Sequence, residues 1–232
     1  MPETKSVATG ETAGSIRVWD LPVRLFHWTL VLLIVCSVVT GKVSGNWMTY
    51  HMWSGYAILA LVLFRLVWGF IGSTYARFRN FMYGPASVLR YAGGLVRRKP
   101  PHYTGHNPLG GWMVIFLLVC VGLQAGTGLF ANDDIATEGP LVRWISKERS
   151  DWLTTIHLYN FEVLLVLVGV HIAAALSYLC LMKENLIKPM FTGTKPAAGL
   201  PADAAARFTP LWIAIVVMGI AAAIVYAIVN YG

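Results

Sequence analysis

Five long stretches of this chain are almost free of charged side chains: Leu25 to Gly41, His51 to Gly72, Leu109 to Phe130, Trp152 to Met182 and Pro210 to Val229. About 20 apolar residues in helical form cross the ~30 Å hydrocarbon core of a bilayer. In that core every backbone N–H and C=O needs a partner within the protein, which a helix supplies by itself. The pattern therefore predicts five transmembrane helices. Composition agrees: 56% of the residues are hydrophobic and only 12% are charged, against roughly a quarter charged in soluble domains. The net charge of +7 does not call for nucleic acid, because membrane proteins gather basic residues in cytoplasmic loops.

Loop charges set the expected orientation. Lys and Arg number three in the leader, six in 73–108 and four in 183–209, against one in 42–50, three in 131–151 and none at the C-terminal end. The positive-inside rule then puts the N-terminus in the cytoplasm and the C-terminus on the far side. The 73–108 loop has no acid, and its stretch "FMYGPASVLRYAGGLVRR" suits an amphipathic helix on the membrane surface. The 131–151 loop carries five acids to three bases. Asp20 and Pro22 read as the start of the first helix, a capping carboxylate followed by a first-turn proline. That first apolar segment lacks the small-x-small exit of a cleaved signal peptide. Cys36, Cys120 and Cys180 fall inside apolar segments and read as small core hydrophobes. Trp19, Trp28, Trp47, Trp53, Trp112 and Trp152 lie near segment ends and read mostly as interfacial anchors.

Intramembrane histidines are costly and therefore functional candidates. With alternating helix directions, His27 and His171 fall at the inner level, and His51 and His157 at the outer. His157 and His171 are fourteen residues apart, so ~21 Å separates them along one helix face. A single histidine is usually satisfied by a nearby carbonyl; two matched pairs point to metal or haem. Zinc wants further Cys, His or carboxylate ligands, and neither level offers them. Haem brings four nitrogens of its own, so two imidazoles complete each iron. Two haems stacked through the bilayer make an electron path, and filled axial positions leave no open site for oxygen chemistry. No residue is assigned as catalytic.

Other polar positions stay open. Arg65, fourteen residues after His51, reaches the inner level, where it either pairs with a haem propionate or snorkels to headgroups. Gly55, one turn from His51, either admits a flat ring or serves helix packing. Arg24 offers a second propionate partner or a topology-fixing charge. Glu162, Gln124 and Thr127 have either proton and quinone roles or structural ones. His102 and His106 lie in the irregular "PPHYTGHNPLGG" stretch, where His106 competes as a haem ligand or lines a quinone pocket.

The segments "VWDLPVRLFHW", "HMWSGYAILALVLFRLVWGFIGSTYARF", "GHNPLGGWMV", "TGLFANDD" and "HIAAALSYLCLMKENLIKPMFTGTK" resemble the bacterial cytochrome b561 family and its relatives, the cytochrome b subunits of nickel–iron hydrogenases and thiosulfate reductases. The resemblance runs from about Arg17 to Lys195. It implies an all-α membrane protein: a four-helix transmembrane bundle holding two haem b, with ligands His27, His51, His157 and His171, plus a fifth C-terminal transmembrane helix. The expected organisation is a cytoplasmic leader at 1–24, the dihaem domain at 25–182, a cytoplasmic linker at 183–209 and the fifth helix at 210–232. Gly219 and Ala223 suggest that this last helix packs against another, in a homodimer or a partner subunit.

The resemblance further implies a bacterial inner-membrane electron carrier between ubiquinone or menaquinone and a periplasmic c-type cytochrome or other redox protein. The acidic outer loop favours a cationic protein partner. A self-standing superoxide:quinone oxidoreductase and a hydrogenase cytochrome b subunit are the alternatives within the family. A non-redox transporter or scaffold with structural histidines is the alternative outside it.

Overall fold

The computed structural model describes residues 14–97, 101–197 and 206–232. Parts of the expected leader (1–13), basic loop (98–100) and linker (198–205) lie outside the described residues. Five of the helices are long and apolar enough to cross a membrane: α1 (Leu21–Val43), α2 (Met48–Ile71), α4 (Pro108–Gly128), α5 (Lys147–Cys180) and α7 (Leu211–Tyr231). Two shorter ones, α3 (Pro85–Val96) and α6 (Lys188–Thr192), lie between them. A two-stranded antiparallel ribbon joins β1 (Ser15–Arg17) to β2 (Thr194–Pro196).

Local chemistry accounts for the helix starts. The Asp20 carboxylate accepts from Val23 N–H at 2.8 Å, with Pro22 in the first turn of α1. Asn107 caps α4 in the same way through Gly110 N–H, followed by Pro108. These side chains satisfy donors that the first turn leaves free. α6 ends at Gly193, with φ of +82°, a left-handed conformation natural to glycine. The Gly193 carbonyl accepts from Val18 and Trp19 N–H, so the approach to α1 is tied to the segment after α5.

α1 packs on α2, α2 on α4 and α4 on α5, while α7 lies against α2. The core runs through Phe26, Leu61, Phe64, Trp68, Phe78, Phe81 and Leu118, with a second cluster of Ile58, Val62, Val121 and Leu164. Many large apolar side chains point outward, among them Leu32, Val35, Phe70, Val119, Val166 and Ile215. On a soluble protein such a surface would aggregate; around a bundle of spanning helices it is the face that lipid wets.

Several expectations change. α5 begins five residues before the apolar stretch at Trp152, at Lys147, because Ser146 opens a helix that continues through polar sequence. Trp19 is buried, and Trp112 is half-buried and donates to the Tyr83 carbonyl at 3.0 Å, so neither is a free interfacial anchor. Cys36 and Cys180 are exposed thiols on the outer faces of their helices rather than core residues. The contact expected of Gly219 and Ala223 with a partner or second copy is unaffected: α7 packs inward through Ala214, Ala221 and Val225 and leaves these two facing outward. The amphipathic stretch is helical as α3, with Tyr91 buried and Leu89 and Val96 exposed.

Candidate haem-binding site

The four spanning histidines meet in two pairs. The ring centres of His27 and His171 are 6.5 Å apart, and those of His51 and His157 are 6.2 Å apart. Metal–nitrogen bonds of about 2.0 Å, each continued by about 1.1 Å to the ring centre, place two trans imidazoles about 6.2 Å apart. Both pairs fit one shared iron. Among the described residues no group of three or more His, Cys, Asp or Glu could hold a metal, so a bare ion lacks the ligands that a porphyrin would provide. The first pair lies at the end flanked by the basic segments 73–97 and 183–197, here the basic end. The second lies beside the 131–151 loop, at the acidic end.

The acidic-end pair is oriented from behind. His51 Nδ1 lies 2.9 Å from the Ser37 carbonyl and His157 Nδ1 3.0 Å from the Gln124 carbonyl. A carbonyl only accepts, so each Nδ1 carries the proton and each Nε2 keeps its lone pair for a metal. Thr127 Oγ1 adds a contact to His157 Nδ1 at 3.2 Å, and Asn160 donates to Gln124 Oε1 and to the Cys120 carbonyl. Glycines make room. A Cβ on Gly41 would lie 2.9 Å from His51 Nδ1, and one on Gly128 3.1 Å from His157 Cε1. The roles left open for Gln124 and Thr127 are thus structural support of His157. Ser37, Gly41, Gly128 and Asn160 were missed; the one available signal was Asn160, an amide within an apolar stretch.

The basic end is built differently. His27 stands edge-on to Trp28, and its buried Nδ1 has no hydrogen-bond partner. Arg65 is 3% exposed, and its guanidinium lies over Phe78 at 5.0 Å and Phe81 at 5.9 Å. One terminal nitrogen of Arg65 is buried and unpartnered, which fits a residue awaiting a carboxylate rather than one snorkelling to solvent. Arg24 is half-buried, donates to the Phe191 carbonyl and keeps its Nε buried and unpartnered. His106 packs between Trp19 and Phe81, with ring centres 4.7 and 4.8 Å away. Burial, then the charges of Arg65 and Lys195, hold His106 down to about 3, so it is a neutral imidazole outside the His27–His171 pair. It lines a cavity of about 260 Å³ together with Tyr75, Phe81, Tyr83 and Tyr103. His102 is exposed and lies 3.7 Å from Glu184. Glu162 is exposed. A Cβ added to Gly55 would meet no protein atom within 4 Å.

Residues 18–193 match the family model described as prokaryotic cytochrome b561. The chain belongs to this family. It is 26% identical over 225 residues to a probable Ni/Fe-hydrogenase B-type cytochrome subunit of Rhizobium leguminosarum bv. viciae, covering 81% of this chain and 93% of that one. A protein of the same description from Azotobacter vinelandii is 28% identical over 231 residues, covering 82% and 94%. A probable Ni/Fe-hydrogenase 1 B-type cytochrome subunit of Escherichia coli K12 is 29% identical over 117 residues, covering 40% and 49%. No solved structure matches the chain significantly. This prokaryotic cytochrome b561 is a multi-pass membrane protein that carries haem b and serves electron transfer.

Proposed function

We propose that this cytochrome b561 carries two haem b, one on His27 and His171 and one on His51 and His157, and conducts electrons across a bacterial inner membrane. The observation that carries this reading is the double match in spacing, 6.5 and 6.2 Å, at two levels of one bundle. Haem iron at each level would supply reversible one-electron chemistry. The chain's part is to supply both axial ligands, which keeps other ligands off the iron, and to fix their tautomers through Ser37 and Gln124. Arg65 would hold a propionate at the basic end, and Gly55 would leave one face of α2 clear for a flat ring.

The proposed exchange partners are ubiquinone or menaquinone and a periplasmic redox protein, with the N-terminus cytoplasmic and the C-terminus periplasmic. The names of relatives covered over nine-tenths of their length favour a nickel–iron hydrogenase as the electron donor, ahead of a c-type cytochrome. The test is haem counting in two single variants. His51→Ala and His171→Ala should each reduce the reduced-minus-oxidised b-type signal by about half, on different spectral components. An unchanged spectrum in either variant would remove that histidine from the ligand set.

A further inference from the structure

The two imidazole pairs share a spacing but differ in what stands behind them. At the acidic end both Nδ1–H groups donate to backbone carbonyls, of Ser37 and Gln124. Such a bond makes the opposite ring nitrogen a stronger donor to metal, and a stronger donor favours ferric over ferrous iron. At the basic end His27 Nδ1 is buried without a partner, so this ligand lacks that push.

Charge acts in the same direction. The basic end holds four cations of low exposure, Arg24, Arg65, Arg77 and Lys195. Two carboxylates accompany them: Asp20, which accepts from Val23 N–H and Trp68 Nε1–H, and Glu184, 3.5 Å from Lys195 Nζ. Four against two leaves two positive charges in excess, with that of Arg65 set against a propionate, and neutral His106 adds none. At the acidic end Lys42, over the Phe161 ring, and the charged side chains of the neighbouring 131–151 loop are all exposed and therefore screened, so no poorly screened cation stands there. A cation in a poorly screened interior favours the iron state with one positive charge fewer.

We propose that the His27–His171 level has the higher midpoint potential and the His51–His157 level the lower, so that Arg65 helps make the basic end the electron sink. This rests on the dihaem reading above. With both groups bound, one electron would pass from the His51–His157 level to the His27–His171 level, with no proton moved. A redox protein at the acidic end would supply each electron, and two such electrons, with two protons taken up beyond the basic end, would reduce a quinone to quinol.

The experiment is a spectroscopic redox titration of the purified, haem-loaded full chain. Two one-electron components are expected in the wild type. Arg65→Gln should lower the upper component and leave the lower in place, whereas Arg65→Lys, which keeps the charge, should titrate close to wild type. His157→Met replaces an imidazole with a thioether and should raise the lower component; outright loss of one component identifies the level equally well. The proposal is overturned if Arg65→Gln shifts the lower component or neither, if His157→Met acts on the upper one, or if two haems titrate together. Should Arg65→Gln fail to fold, His157→Met alone decides the order. A wild type with a single haem would instead defeat the dihaem reading itself.

Discussion

Gly41 bounds the space in which the His51 ring can sit. A methyl group there would stand 2.9 Å from His51 Nδ1, closer than side chains tolerate, and that ring is pinned by the Ser37 carbonyl 2.9 Å away. Gly41→Ala should therefore displace the imidazole, alter one of the two proposed haem signals and destabilise the fold by about 1–3 kcal/mol. Gly126→Ala, whose added methyl meets nothing within 4 Å, is the control and should leave the absorption spectrum unchanged. The four histidines themselves were legible in the sequence, because helix direction and a fixed rise per residue convert position into depth. Gly41 was not, since a glycine's function lies in what approaches it from another helix. Arg65 was half-legible: its depth followed from the spacing to His51, but its stacking on Phe78 and Phe81 depends on how the segment after α2 folds back.

At the scale of elements, α3 shows how a surface helix is fixed to a bundle. Its one buried side chain, Tyr91, hydrogen-bonds through its hydroxyl to that of Tyr178 on α5, and Asn107 donates to Tyr178 at 3.2 Å. Burial, then the bond to Tyr178, raises the Tyr91 phenol above its ordinary range, so it stays protonated. Tyr91→Phe removes one buried O–H and should cost about 0.5–1.5 kcal/mol. The expected readout is local: faster amide exchange across 85–96 with both haem signals intact. Loss of a haem in this variant would mean that α3 does more than cover the bundle. That the 81–98 stretch holds a surface helix, here Pro85–Val96, was readable from its amphipathic spacing. The early start of α5 and the pairing of β1 with β2 were not. Polar helix extensions carry little apolar pattern, and a three-residue ribbon owes its existence to Gly193 bringing distant segments together.

For the whole molecule, the question is what the fifth spanning helix contributes. All four proposed axial histidines lie between residues 27 and 171, and the family match ends at residue 193, before α7 begins at Leu211. α7 nevertheless seals α2, burying Val225 and placing Ala214 and Ala221 in the cluster that holds Leu61, Phe64 and Trp68. Small side chains at such a contact let two helices approach closely, and packing is the main attraction between helices in lipid. Ala221, 4% exposed, has no room for a branched chain, so Ala221→Leu should push α7 off α2 at a cost of about 1–3 kcal/mol. Thermal unfolding in detergent should occur at a lower temperature, while haem content and both spectral components persist, because no ligand is carried on α7. The outward-facing Gly219→Leu should leave that temperature unchanged. If Ala221→Leu instead removed a haem at temperatures where the bundle stays folded, α7 would belong to the cofactor site, and the division into a four-helix haem core and an accessory helix would have to be given up.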